Sequence, residues 1–279
     1  MVSPYWALAL GIMVLAVPTL ISLGQQTWST EAGAHAPIVL ATGLWLFSKS
    51  FESFRALRVP GSFWLVVLAI AVSIVFYVFG RAYDFISLEA IGFAGVLMAI
   101  VYRLVGLRAM AANAFPFIYM AFLIPIPGWV IDQLTAPLQT LVSTVVTNGL
   151  YSLGYPVVRE GVTLFIAQYQ LLVEEACSGM NSITGLISIS LFYIYVVHRA
   201  SWRHALVLLL FVVPIAIVVN MIRVLALVLL TYYYGDAVAQ GFLHVTSGVV
   251  LFAVAIMLVF FLDLLLRRFV FKPAELAGS

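Results

Sequence analysis

Cys177 is the only cysteine in the chain, and it lies in Val-Glu-Glu-Ala-Cys-Ser-Gly-Met-Asn, residues 173–181, where a polar segment gives way to a long apolar one. A lone thiol closes no internal disulfide, so it is either a small buried hydrophobe or a nucleophile. A thiolate attacks carbonyl carbon well, but its proton must first be removed. His244 offers an imidazole that can take that proton and later hand one to a leaving amine. Arg223 offers a cation that does not deprotonate and can hold an oxyanion or a substrate carboxylate in a partly dry site. Ser178 and Gly179 would let a substrate backbone approach the thiol closely. Each residue also has a plainer reading: a structural thiol, an arginine snorkelling to headgroups, and an interfacial histidine with its hydrogen bonds satisfied.

The elements that must position these groups are apolar. Of 279 residues, 65% are hydrophobic and only 9% are charged, with a mean hydropathy of +1.16. A soluble domain carries about 25% charged residues, so this chain cannot cover a water-facing surface and lipid is its solvent. Apolar runs of about 20 residues cross a bilayer core. Eight are expected here, at roughly 5–23, 35–48, 62–80, 85–105, 109–127, 181–198, 204–230 and 243–266. The fifth ends in Ile-Pro-Ile-Pro-Gly, 124–128, a helix stop because proline lacks the amide donor. The first 24 residues carry no basic n-region and no convincing cleavage pattern, so they read as a retained first helix. The whole chain, 1–279, reads as one integral-membrane domain.

Basic residues set the orientation. Lys49, Arg55, Arg58, Arg103, Arg108, Arg199, Arg203, Arg267, Arg268 and Lys272 all fall on one side of an eight-span arrangement, against Arg81, Arg159 and Arg223 on or near the other. Cytoplasmic loops are rich in Lys and Arg, so both termini are expected in the cytoplasm. Cys177 then precedes an inward-running sixth span. Arg223 is 19 residues beyond His204, near the expected outer end of the seventh span, and His244 opens the eighth. The three share one membrane depth in this reading, on the outer face.

The longest stretch expected not to span is about 128–176. Its first half, with Thr-Ala-Pro-Leu-Gln at 135–139 and Leu-Val-Ser-Thr-Val-Val at 141–146, suits an amphipathic helix lying in the interface. Val157–Val158 and Thr163–Ile166 suit a small β-hairpin around Arg159–Gly161. The expected fold class is thus an all-α polytopic membrane protein with an outer-face interfacial helix and a small hairpin between spans five and six. No Cys/His/carboxylate spacing suggests a metal site, no cofactor is called for, and no basic stripe suggests nucleic acid. Glu174 and Glu175 flank the thiol and would disfavour thiolate, though Glu175 could instead orient His244 or Arg223. His198 and His204 fall on the inner side, and His35 has no evident partner.

These residues resemble a known family. Ala176-Cys177-Ser178-Gly179, then Asn220-x-x-Arg223, then His244 with Gly248, are similar in order to the exosortase/archaeosortase family. So are Phe115-Pro-Phe, Phe122-Leu-Ile-Pro-Ile-Pro127, Leu134-Thr, Pro137-Leu-Gln139 and Leu153-Gly-Tyr-Pro156 with Gly161. The resemblance covers roughly 85–265, which it marks as a catalytic core. It implies a membrane-embedded cysteine protease/transpeptidase that processes C-terminal sorting signals of exported proteins, each carrying a short Pro-containing motif, a transmembrane helix and a basic end. It implies Cys177 as nucleophile, His244 as proton-transfer residue and Arg223 as oxyanion or orienting residue, with Glu175, Ser178, Asn181 and Asn220 as further candidates. Asn181 departs from the pattern, because many relatives carry Arg there. The rival class is a non-catalytic polytopic protein, a transporter or a lipid-binding scaffold. A transporter is expected to place ionisable groups near the midplane, whereas Glu89 and Asp263 lie toward span ends.

Overall fold

A computed structural model describes residues 5–30, 33, 35–172, 182–197, 202–240 and 242–269. Among these residues the regular structure is helical except for one small sheet, and the chain divides into two compact units, residues 1–127 and 128–279.

In the first unit, α1 (Tyr5–Leu23) runs into a π-helical turn at Gly24–Trp28, and α2 (Ala36–Ala56), α3 (Phe63–Ala82), α4 (Ile86–Ala112) and α5 (Ala114–Met120) follow. Lipid competes with apolar side chains for apolar faces, so helices in membranes associate through close backbone approach and interhelical hydrogen bonds. The hairpin of α3 and α4 does both. Gly80 lies on the backbone of Glu89, Gly92 on the backbone of Ser73 and Tyr77, and Gly95 on the Ser73 side chain, so that a Cβ at any of the three would collide. The Thr19 hydroxyl of α1 donates to Glu89 Oε1 at 2.8 Å, and Arg81 pairs with the same oxygen at 3.3 Å while donating to Ser22 at 2.8 Å. Tyr77 completes this clasp by donating to the Leu15 carbonyl at 3.2 Å.

The fourth helix is broken at Gly106, whose φ of 81° and ψ of 167° only glycine adopts readily. The α2–α3 connection fills the break. Val59 N–H donates to Val105 O at 3.0 Å, Gly61 N–H to Tyr102 O at 3.2 Å, and the Arg58 side chain to Leu104 O at 2.8 Å. Beyond the break, the region expected as a fifth span is three short pieces: the end of α4, α5, and a 3-10 turn at Ala121–Leu123.

The second unit is built on one long helix. α6 (Gly128–Ser152) leads to a three-stranded antiparallel sheet, β1 (Val157–Glu160), β2 (Thr163–Ile166) and β3 (Tyr169–Leu172), in the order β1-β2-β3. Val157 pairs with Ile166 and Thr163 with Leu172. Then come α7 (Ser182–Val197), α8 (Trp202–Tyr234), the short α9 (Asp236–Gln240) and α10 (Phe242–Phe269). At 33 residues α8 is about 50 Å long, well beyond the roughly 30 Å bilayer core. Its buried positions, Leu208, Val212, Ala216, Val219, Asn220, Arg223, Val224, Leu227, Val228 and Thr231, recur every three or four residues and form one face. The first part of that face packs with Leu186 and Ile194 of α7 and Ala255 and Val259 of α10. The later part packs with Val142, Val146 and Leu150 of α6 and with Val157, Leu164, Ile166 and Leu171 of the sheet. Gly235, at φ 84°, ends α8 by donating its N–H to Thr231 O at 3.0 Å.

Among the described residues, four helices are long and apolar enough to cross a membrane: Trp6–Trp28, Phe63–Ala82, Ile86–Ala112 and Leu206–Tyr234. The broken pair Ala114–Leu123 and Gly128–Ser152 makes a fifth if it counts as one span. Fewer helices thus qualify than the eight spans expected. α2 carries Lys49, Glu52 and Arg55 near its end, the apolar stretch Thr184–Val197 of α7 is shorter than a usual span, and the described side chains of α10 begin only at Ala253.

Candidate functional site

Arg223 is 2% exposed and Asn220 is 5% exposed, one turn apart on the buried face of α8. Both side chains have interaction partners. A charge kept from solvent within an apolar helix is costly, and such residues mark function by default. Their location is specific: Val219, just before Asn220, belongs to the core shared with α7 and α10, while Val224, just after Arg223, belongs to the core shared with α6 and the sheet. The two polar residues therefore sit where one apolar cluster hands over to the other.

Arg223 is not at the end of its helix. The apolar run continues through Tyr234, which leaves Arg223 11 residues, about 16 Å, before the last residue of α8. The seventh span is expected to end near 230, whereas the helix continues through Thr231 and three tyrosines and stops only at Gly235.

Cys177 and its neighbours Glu174, Glu175, Ser178 and Asn181 lie outside the described residues, as does His198. His244 has its backbone near the start of α10, and its side chain also lies outside them, as does that of His204. The elements flanking 173–181 are described. β3 ends at Leu172, directly after Leu171 of the sheet core, and α7 begins at Ser182, four residues before Leu186 of the helical core. The chain thus leaves one cluster and enters the other across the segment that carries the thiol. Among the described residues, no group of three His, Cys, Asp or Glu side chains is placed to hold a metal ion.

Two further polar groups are defined by packing. Asp263 of α10 is fully buried, accepts a hydrogen bond from the Tyr193 hydroxyl of α7 at 2.7 Å, and pairs with Arg267 one turn along at 3.0 Å. The i, i+4 spacing of Asp263 and Arg267 was a visible signal; the contact with Tyr193, 70 residues away, was not. At the far end of α8, Tyr155, Tyr232 and Tyr233 form an edge-to-face cluster in which the hydroxyls of Tyr155 and Tyr233 are 2.9 Å apart.

No curated protein and no solved structure matches the chain. A family model does, that of the transmembrane exosortases, over residues 27–261. The matched region takes in the broken α4, the sheet and all of α8 with its buried Asn220 and Arg223, and a match over this much of an apolar, helical membrane chain places it: the protein belongs to the transmembrane exosortase family.

Proposed function

We propose that the protein is a membrane-embedded cysteine protease/transpeptidase that processes the C-terminal sorting signals of exported proteins. The observation that carries this reading is the buried Arg223, held with Asn220 at the junction of two cores in a family of exosortases. Cys177 lies five residues from Leu172 and five from Ser182, the ends of the elements that reach those same two cores.

The roles follow from the chemistry of the side chains. The Cys177 sulfur, its proton taken by His244, attacks the carbonyl carbon of the scissile peptide and forms a tetrahedral adduct. The oxyanion, or a substrate carboxylate, pairs with the Arg223 guanidinium, an interaction that is strong in a dry site. Collapse of the adduct expels the amine with a proton from His244 and leaves a thioester on Cys177. An acceptor amine then attacks the thioester in transfer, or water does in hydrolysis. Asn220 steadies Arg223 from one turn away, and Ser178, Asn181 and Glu175 border the substrate.

The chain would cross the membrane of the cell about eight times, with both termini in the cytoplasm and the site on the outer side. This rests on the sorting of basic residues to one side. Reporter fusions after Ser50 and Arg203 should read cytoplasmic, and fusions near Gln26 and Gly154 external. An external reading at Arg203 would move Cys177 to the inside and overturn the site.

The direct test is co-expression with a tagged protein bearing a sorting tail: a short Pro-containing motif, a transmembrane helix and a basic end. Wild type should shorten the tagged protein, and Cys177→Ala, at equal membrane abundance, should leave it uncleaved. Cleavage by Cys177→Ala at the wild-type rate would favour a non-catalytic scaffold.

A further inference from the structure

The break in α4 does more than turn the chain. At Gly106 the α2–α3 connection and the helix hold one another by side chains as well as backbone. Arg58 donates from Nε to Leu104 O at 2.8 Å, and Arg103 donates from Nη1 to Gly61 O at 3.5 Å. Each arginine reaches across the same junction to a carbonyl on the opposite strand of chain, so both guanidinium groups are tied to one junction, and both residues remain exposed. A guanidinium has five N–H donors in a planar fork, and each of these ties uses one. Arg55 and Arg108 are also exposed nearby in sequence, Lys49 lies over the Trp45 ring at 5.7 Å, and Glu52 is the only acid in 49–63 or 101–112.

Beside this cationic junction lies an apolar strip. Trp64, Leu68, Val72, Val75 and Phe79 follow one another at helical spacing along α3 and are 77%, 61%, 48%, 54% and 53% exposed. Val59 at 62%, Leu104 at 41% and Leu107 at 70% border the arginines. A soluble anion has no use for such a strip. An acyl chain does, and a tryptophan at the strip's basic end suits the headgroup boundary.

We propose that this junction is a binding site for an anionic phospholipid, with the phosphate on Arg58 and Arg103 and an acyl chain along α3. It is separate from the Cys177–Arg223–His244 reading and stands whether or not that reading does. What distinguishes it from the diffuse attraction of any basic surface for anionic lipid is the fixed geometry of two arginines out of five cations.

The experiment uses the full chain in uncharged detergent micelles and fluorescent phosphatidylglycerol, with thermal unfolding run on every variant. Wild type should bind with saturation, and neither phosphatidylcholine nor millimolar inorganic phosphate should compete. Each guanidinium near the surface is worth about a five-fold change in affinity, so Arg103→Gln should weaken binding about five-fold and the pair Arg58→Gln with Arg103→Gln about 30-fold. The charge-matched pair Arg55→Gln with Arg108→Gln should change affinity less than five-fold. Should Arg58→Gln unfold the protein by uncapping Leu104, Arg103→Gln alone carries the test. Equal losses for the two pairs, no loss for Arg103→Gln, or displacement by inorganic phosphate would each overturn the proposal.

Discussion

The two units solve the same problem in different ways. In residues 1–127, association rests on backbone contact and hydrogen bonds: glycines of α3 and α4 let the chains touch, and Thr19, Tyr77 and Arg81 gather around the buried Glu89. In residues 128–279, α8 buries a conventional aliphatic face, Leu208 to Val228, against two separate clusters. In the first unit the polar groups around Glu89 hold helices together. In the second, Asn220 and Arg223 interrupt a face that packs well on either side of them. Arginine and asparagine add little to such packing, which is why the proposal gives them the chemistry, whereas the Glu89 group joins helices.

The contrast breaks most readily at the chemistry. His244→Ala should cut processing of the tagged substrate by roughly 100- to 10,000-fold, without lowering the amount of folded protein in the membrane. Groups acting as one unit are not additive, so Cys177→Ala with His244→Ala should be no worse than Cys177→Ala alone. A further loss in the double variant would separate the two residues.

Next comes the break in α4. Gly106→Val forces a side chain into backbone that only glycine adopts readily and onto the Val59 carbonyl. The conformational penalty alone is about 1–3 kcal/mol, and the collision adds to it. Thermal unfolding of the purified full chain should show a clear drop in midpoint, and abundance in the membrane should fall. An unchanged midpoint would mean that the α2–α3 connection does not seat there.

A smaller effect is expected at the polar clasp. Thr19→Val keeps the shape and removes the donor to Glu89; interhelical hydrogen bonds of this kind are worth about 0.6 kcal/mol, at most about 1.7. Processing per folded molecule should be unchanged, since the clasp serves assembly. The smallest effect belongs to Tyr155→Phe, which removes one exposed hydroxyl contact with Tyr233 and keeps the ring packing. Because the contact is exposed, the change should shift stability by no more than about 0.5 kcal/mol, the low end for a hydrogen bond. A large loss of processing in either variant would blur the division between the units.

Much of this architecture was legible because composition and helix stops are local signals. The expected boundary between spans at 105 and 109 brackets Gly106, where α4 breaks. The second span is expected to end near 48, but Lys49, Glu52 and Arg55 are good helix formers and the helix continues to Ala56. Nothing local announces the third strand, since Tyr169–Leu172 is short and runs directly into a polar segment; what makes it a strand is its pairing with β2. The Thr19–Glu89 and Tyr193–Asp263 bonds join residues 70 apart, and no spacing rule announces them. For the site, the burial of Arg223 and Asn220 carries the sequence argument furthest, while their position at the meeting of two cores emerged only from packing.

The most direct test of the central claim is a paired measurement on Arg223→Lys: processing rate on the tagged substrate and thermal midpoint, both on the purified full chain. Lysine keeps the positive charge and most of the stem but loses the planar fork. If Arg223 is there for chemistry, the rate should fall about 100- to 1000-fold, the cost of losing an oxyanion donor, with the midpoint close to wild type. A wild-type rate would contradict this account, and so would a loss of rate no greater than the loss of folded protein, since either result would return Arg223 to the structural fabric of α8.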